Sequence, residues 1–184
     1  MSTINETIEG EEGATRRDFL HVAATGLGGV GAVMAAWPFI DQMNPAADTL
    51  ALATVEVDLS AIGVGEAIKV MWQGKPIFIR HRTAKEIEEA RSVDMSELVD
   101  KQSDAERVQE GRAEWLVVTG ICTHLGCVPV GTSDGEDKGD FGGWFCPCHG
   151  SHYDTAGRIR KGPAPKNLAV PTYAFLNDTT LQIG

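Results

Sequence analysis

Positive charge is scarce in this 184-residue chain: 16 Lys and Arg stand against 26 Asp and Glu, a formal net charge of −10. Nucleic-acid binding depends on basic surfaces that neutralise phosphates, so that class of partner is disfavoured. Cysteine is scarce too, with four residues, all between 122 and 148. No Lys or Arg occurs between Arg17 and Lys69, and 19–40 carries no charged side chain at all. There is no internal repeat, and no nucleophile stands beside a base in a recognisable motif. Any chemistry must therefore come largely from a bound group. What the chain does have is 21 Gly and 8 Pro, which predict a turn-rich, mainly β body.

The N-terminus reads as an address followed by an anchor. Thr15-Arg-Arg-Asp-Phe-Leu20 precedes an apolar run, the pattern of twin-arginine export. At 1.5 Å per residue, 19–40 as a helix would reach about 33 Å, enough to span a membrane. Its glycines at 26, 28, 29 and 31 would let another helix approach closely. His21 and Trp37 suit the interfaces. With Arg16 and Arg17 before the run and no cation soon after, the positive-inside rule puts residues 1–18 in the cytoplasm and the body outside. A cleaved signal is the rival reading, because Ala51-Leu52-Ala53 resembles a small-residue cleavage site. Residues 41–53, broken by Asn44 and Pro45, are expected to be a flexible hinge, with a plain linker as the alternative.

The main domain is expected over 54–184. Val55, Val57 and Leu59 alternate with acids, and 67–72 and 76–80 flank Gln73-Gly74-Lys75, all as strands. The acidic stretch 81–113 predicts a surface helix with a stripe of Ile87, Ala90 and Val93, followed by a loop, its charges solvated. Strands follow at 115–119, 169–176 and 180–183.

Two boxes carry the metal chemistry. The first is Cys122-Thr-His124-Leu-Gly-Cys127, the second Cys146-Pro-Cys148-His149-Gly-Ser151-His152-Tyr153. Gly126 and Gly150 permit tight turns that aim backbone amides at a ligand. In a reducing compartment all four cysteines could ligate; in an oxidising one, two could pair and two bind metal. A Cys2His2 zinc site uses the same residue types.

The boxes resemble those of Rieske iron–sulfur proteins, in which two histidines replace two cysteines on one iron. The second cysteine in each box is similar to the membrane-bound subunit of bacterial cytochrome bc (ubiquinol–cytochrome c reductase) complexes. So are Gly142-Gly-Trp-Phe-Cys146, His152-Tyr-Asp154, Gly162-Pro-Ala-Pro165 and the anchored N-terminus. The likeness covers nearly the whole chain except 81–113. It implies an antiparallel β-sandwich carrying a small cluster-binding subdomain at about 120–160, behind one transmembrane helix. It implies one [2Fe–2S] cluster, with Cys122 and Cys146 on the buried iron and His124 and His149 on the outer one. It implies a Cys127–Cys148 disulfide stapling the loops. Ser151 and Tyr153 would tune the cluster, since a hydroxyl donating to sulfur stabilises the added electron. Leu125 and the loop beginning Gly162-Pro163 would form the docking face. The implied partners are quinol, cytochrome b and a c-type cytochrome, in the lipid of a bacterial inner membrane, with the main domain periplasmic. His124 and His149 would be the catalytic pair, because an imidazole ligand keeps a second nitrogen to exchange a proton when quinol is oxidised. The Rieske subunit of another periplasmic oxidoreductase, such as arsenite oxidase, and a zinc-binding membrane protein are the alternative readings.

Overall fold

The computed structural model describes residues 15–44 and 53–184. The chain divides into two compact units, 1–47 and 48–184. In the first, α1 spans Arg16–Asp41, slightly longer than the predicted span. Thr15 caps it: its hydroxyl accepts from the Asp18 amide at 3.2 Å, and the Asp18 carboxylate accepts from Thr15 N at 2.9 Å. At 1.5 Å per residue the helix is about 39 Å long. Phe19, Leu27, Val33 and Trp37 are all exposed on it, so its surface calls for an apolar medium. Length and composition fit a single-pass membrane anchor. The helix gives way to turns from Gln42 to Asn44. Most of the expected hinge (45–52) and the Ala51-Leu52 half of the small-residue motif lie outside the described residues.

The second unit is built on three antiparallel sheets. The first contains β1 (Val55–Asp58), β8 (Tyr173–Phe175) and β9 (Thr180–Ile183), in the order β1-β9-β8. The second runs β2 (Ala67–Trp72), β3 (Lys75–His81), β4 (Trp115–Thr119), and the third β5 (Gly142–Cys146), β6 (Ser151–Asp154), β7 (Ile159–Lys161). Gln73 and Gly74 turn β2 into β3, both at positive φ.

Strands β3 and β4 are buried on both faces, and the two-residue period of a strand separates two cores. Ile77, Ile79, Trp115 and Val117 face Val57, Leu181 and Ile183, closing the sandwich between the first two sheets. Phe78, Leu116 and Val118 face Trp144, Tyr153 and Ile159 of the third sheet. This second core also takes in Cys122, Cys146, Ala164 and Leu168. The closing segment is more irregular than its apolar residues predict, because 169–172 form no strand and β8 starts only at Tyr173.

The acidic stretch differs most from expectation. It does contain the predicted helix, α2 (Ala84–Ser92), with Ala90 buried. Its charges are not all solvated. Arg82, Asp104 and Arg107 are buried, and Arg82 grips Asp104 with two bonds of 2.5 and 3.3 Å. Buried charges must be paired or hydrogen-bonded, so these three side chains belong to the framework, while Glu88, Glu89, Glu97 and Glu106 are exposed as expected.

Glu86 illustrates the pH consequence. Burial opposes its ionisation, but bonds from the Arg80 guanidinium and from the Thr83 amide and hydroxyl outweigh burial and hold its carboxyl below the usual value. A depressed carboxyl contributes stability above its unfolded pKa and loses it as pH falls through the folded value. Glu86→Gln should lower the melting temperature at pH 7, with the gap to wild type closing below about pH 4. Melting curves of both proteins between pH 3 and 7 check this; a gap independent of pH would contradict it.

Candidate metal centre

The two boxes are loops of the same design. The first leaves β4 through Gly120, and Gly126 N donates to Cys122 O at 2.9 Å. The second joins β5 to β6, and Gly150 N donates to Cys146 O at 3.0 Å. Gly126 and Gly150 have φ of +82° and +72°, a region that disfavours side chains, and each lets its loop double back on its leading cysteine. The doubling aims amides at sulfur: His124 N–H toward Cys122, and Cys148 and His149 N–H toward Cys146.

The structure brings the four cysteines and two of the histidines together. Cys127 and Cys148 are joined as a disulfide, with Cα atoms 6.9 Å apart. Cys122 and Cys146 remain as free thiols, each 2 % exposed, packed in the same core cluster. The His124 and His149 rings lie edge to face with centroids 4.6 Å apart. His149 is exposed, while His124 is half-buried. His81 and His152 serve elsewhere. His81 stacks on Trp115 at 4.1 Å, and His152 Nδ1 accepts from Asp140 N at 3.1 Å.

Tyr153 and Ser151 stand against the sulfur of Cys122. The Tyr153 hydroxyl donates to Cys122 Sγ at 3.3 Å; the buried Ser151 hydroxyl accepts from Ala164 N at 3.3 Å and is a further neighbour that favours the Cys122 thiolate. Burial, then the Cys122 thiol, push the Tyr153 phenol far above its ordinary range, so it is a secure donor. Burial resists ionisation of Cys122, but Tyr153, the His124 amide, Cys146 and Ser151 outweigh it and favour the thiolate. Burial and the neighbouring Cys122 push Cys146 the other way. Thiolate is the form that binds metal, and the donors around Cys122 favour it.

The donor set suits an iron–sulfur cluster on one further observation. His124 Nδ1 is buried and has no hydrogen-bond partner among the described residues. A buried polar atom of this kind is costly unless something binds it. It lies in the loop that also carries Cys122, whose sulfur is already surrounded by donors, as a charged sulfur requires.

Comparison with known proteins agrees. Residues 80–174 match the Rieske [2Fe–2S] domain, and residues 7–46 match the N-terminal segment described as a ubiquinol–cytochrome c reductase Fe–S subunit TAT signal. The ubiquinol–cytochrome c reductase iron–sulfur subunit of Rhodospirillum rubrum is 65 % identical over 93 % of this chain and 92 % of its own length. Its counterpart in Blastochloris viridis is 56 % identical, covering 93 % of each. The chain belongs to the family of Rieske iron–sulfur subunits of ubiquinol–cytochrome c reductase. A [2Fe–2S] cluster is the cofactor of that family and of this chain. A chain in the solved structure of a hyperthermophilic respiratory Complex III superposes with a TM-score of 0.53 at 25 % identity, covering 88 % of this chain and 98 % of that one.

The remaining predicted site residues fall around the boxes. Leu125 is 70 % exposed at the tip of the first loop, and Gly162 and Pro163 are exposed beyond β7. Three contributors were not anticipated. Thr123 locks Lys166, its hydroxyl donating to Lys166 O at 2.6 Å. Trp144 is fully buried and donates to Thr132 Oγ1 at 3.2 Å. Asn167 is buried against the acidic stretch. Thr123 and Trp144 are visible in the sequence as neighbours of the boxes, whereas nothing local marks Asn167.

Cys127→Ser should leave the four remaining donors in place yet loosen both loops. Loss of a native disulfide in a small domain costs about 2–5 kcal/mol. The expected outcome is a lower melting temperature and poor cluster retention, measured as iron and acid-labile sulfide per chain. Full retention in both Cys127→Ser and Cys148→Ser would remove the disulfide from the account.

Proposed function

We propose that this chain takes single electrons from quinol at a cytochrome b subunit and passes them to a c-type cytochrome, with proton release. In this reading Cys122 and Cys146 hold the buried iron, and His124 and His149 the outer one. The observation that carries it is the convergence of two buried free thiols with two imidazoles, one of which has an unpartnered buried Nδ1. Bound there, the [2Fe–2S] cluster supplies a one-electron carrier.

The chain's own residues do the rest. The disulfide and the two glycine turns hold the loops at fixed separation, so little rearrangement accompanies a change of charge. Tyr153 and Ser151 place hydroxyl donors at Cys122, favouring the reduced state. His124 directs Nδ1 inward, which leaves Nε2 as the nitrogen able to exchange a proton. Exposed His149 gives quinol access to the site from the surface. Leu125, Gly162 and Pro163 form the face that meets the partners. Net charge of −10 supports a role apart from nucleic acid.

For the chain as a whole, the reading is a cytoplasmic segment at 1–18, a membrane helix at 19–40, a hinge at 41–53 and a periplasmic domain at 54–184. The cluster-binding subdomain lies at about 120–160. Arg16 and Arg17 before the apolar run, with no cation before Lys69, support this orientation in the inner membrane. A swing on the hinge would carry the site between the two cytochromes.

Electron paramagnetic resonance on reduced membranes, with and without a quinol-site inhibitor, tests the function. A Rieske-type signal whose lines move with the inhibitor is expected; a signal indifferent to it would separate the chain from quinol. Tyr153→Phe should keep the cluster and lower its reduction potential, because it removes a donor to a charged sulfur. An unchanged potential would reduce Tyr153 to packing.

A further inference from the structure

The loop after β7 is tied to both boxes. Ala164 N donates to Ser151 Oγ at 3.3 Å. Thr123, seated between Cys122 and His124, donates to Lys166 O at 2.6 Å and accepts from Lys166 N at 3.3 Å. Gly162 sits so close beneath the second box that a Cβ there would fall 2.4 Å from Gly150 O. Pro163 and Pro165 have fixed φ, so the loop can shift only as a stiff unit. Its register against the boxes is then decided by what holds its ends.

At the C-terminal end that anchor is Asn167, 5 % exposed and bonded through every polar group except its own carbonyl. Its amide donates to Asp100 Oδ2 at 3.0 Å, and its side chain donates to Asp100 O at 3.1 Å and to Gln102 Oε1 at 3.0 Å. Its Oδ1 accepts from Ile159 N at 3.0 Å, at the start of β7. Arg107 braces the same corner from behind, donating to Gln102 Oε1 at 2.6 Å and to Leu168 O at 2.5 Å. Burial pushes this guanidinium down to about 10, so it stays charged at neutral pH. Asp100, Gln102 and Arg107 all come from the acidic stretch, outside both boxes.

We propose that Asp100 is a positioning residue for electron transfer. Through Asn167 it fixes the register of the 162–166 loop on Thr123 and Ser151, and so the orientation of His124 and of the surface that quinol meets. This rests on the ligand assignment proposed above. The bond from Asn167 N ends on a carboxylate, and charge-assisted bonds of this kind are about twice as strong as neutral ones. Without it, the loop would keep its box contacts only in part of the population.

The test uses membranes containing the assembled complex, comparing wild type with Asp100→Ala and Asp100→Asn. The asparagine retains an oxygen to accept from Asn167 N. For Asp100→Ala the expectation is a cluster content equal to wild type by spin count and a KM for quinol raised about tenfold, the loss expected of one good hydrogen bond. The inhibitor-induced movement of the resonance lines should be weakened. Asp100→Asn, which keeps an acceptor but loses the charge, should recover a large part of the KM and of the line movement. Wild-type KM and line movement in Asp100→Ala would overturn the proposal, as would equal damage in both variants. If Asp100→Ala loses its cluster, Asp100→Ser, which keeps a polar side chain but withdraws the acceptor from Asn167 N, takes its place. A raised KM per cluster then supports the positioning role, and an unchanged one overturns it. Failure of the ligand assignment is separable, because it would appear as absence of a Rieske-type signal in wild type.

Discussion

Phe78 sits at the junction on which the metal centre depends. It projects from β3 on the face away from the sandwich core, and its ring stacks on Trp144 at 5.6 Å between centroids, nearly parallel. On its other flank is Gly120, where a Cβ would meet the ring at 2.4 Å. Only glycine permits that approach. Cys122 follows Gly120 by two residues, and Cys146 follows Trp144 by two. One aromatic ring in the framework thus sets where both loops depart, and with them both free thiols. Burying an aromatic of this size stabilises the junction by roughly 2–3 kcal/mol, and close packing leaves little room for the loops to drift. The disulfide then fixes the far ends of the same loops.

A second constraint comes from buried polar groups. Arg82 with Asp104, Arg158 with Asp154, and Arg107 on three backbone carbonyls are buried charges with partners inside the domain. Such pairs contribute little net stability compared with apolar packing, but removing one partner is expensive. Their value here is geometric. Arg158 ties the turn after β6 to Ala90 of α2 at 2.7 Å, and Asn167 ties the loop after β7 to Asp100. The acidic stretch is therefore joined to the part of the fold that carries the metal centre.

The boxes were legible because metal chemistry restricts residue type and spacing within a few positions, and Gly126 and Gly150 announce the turns. The strand pattern at β1, β2 and β3 was legible for the same local reason, as period-two alternation or a turn between apolar runs. The acidic stretch is a helix and loop with most of its acids exposed, as expected, yet Arg82, Asp104 and Arg107 are buried, because charge predicts solvent only where the fold brings no partner. Arg82 finds Asp104 at a separation of 22 residues, and Asp100 finds Asn167 at 67. No stretch the length of α2 or of any strand contains both members of either pair. The shortened β8 has a similar cause: Thr119 N bonds Ala169 O, so the start of that apolar segment is taken up outside its own sheet. Tyr153 was singled out by its place in the second box, while its partner, Cys122 rather than Cys146, required the fold.

The central claim is that two histidines from different loops share one cluster with two cysteines, while the other two cysteines stand apart in the disulfide. Pulsed electron paramagnetic resonance on the reduced protein, grown with 15N-labelled histidine, addresses it directly. Two distinct, strongly coupled nitrogens that change with the label are predicted, one for His124 and one for His149. A single coupled histidine nitrogen, or none, would contradict the account.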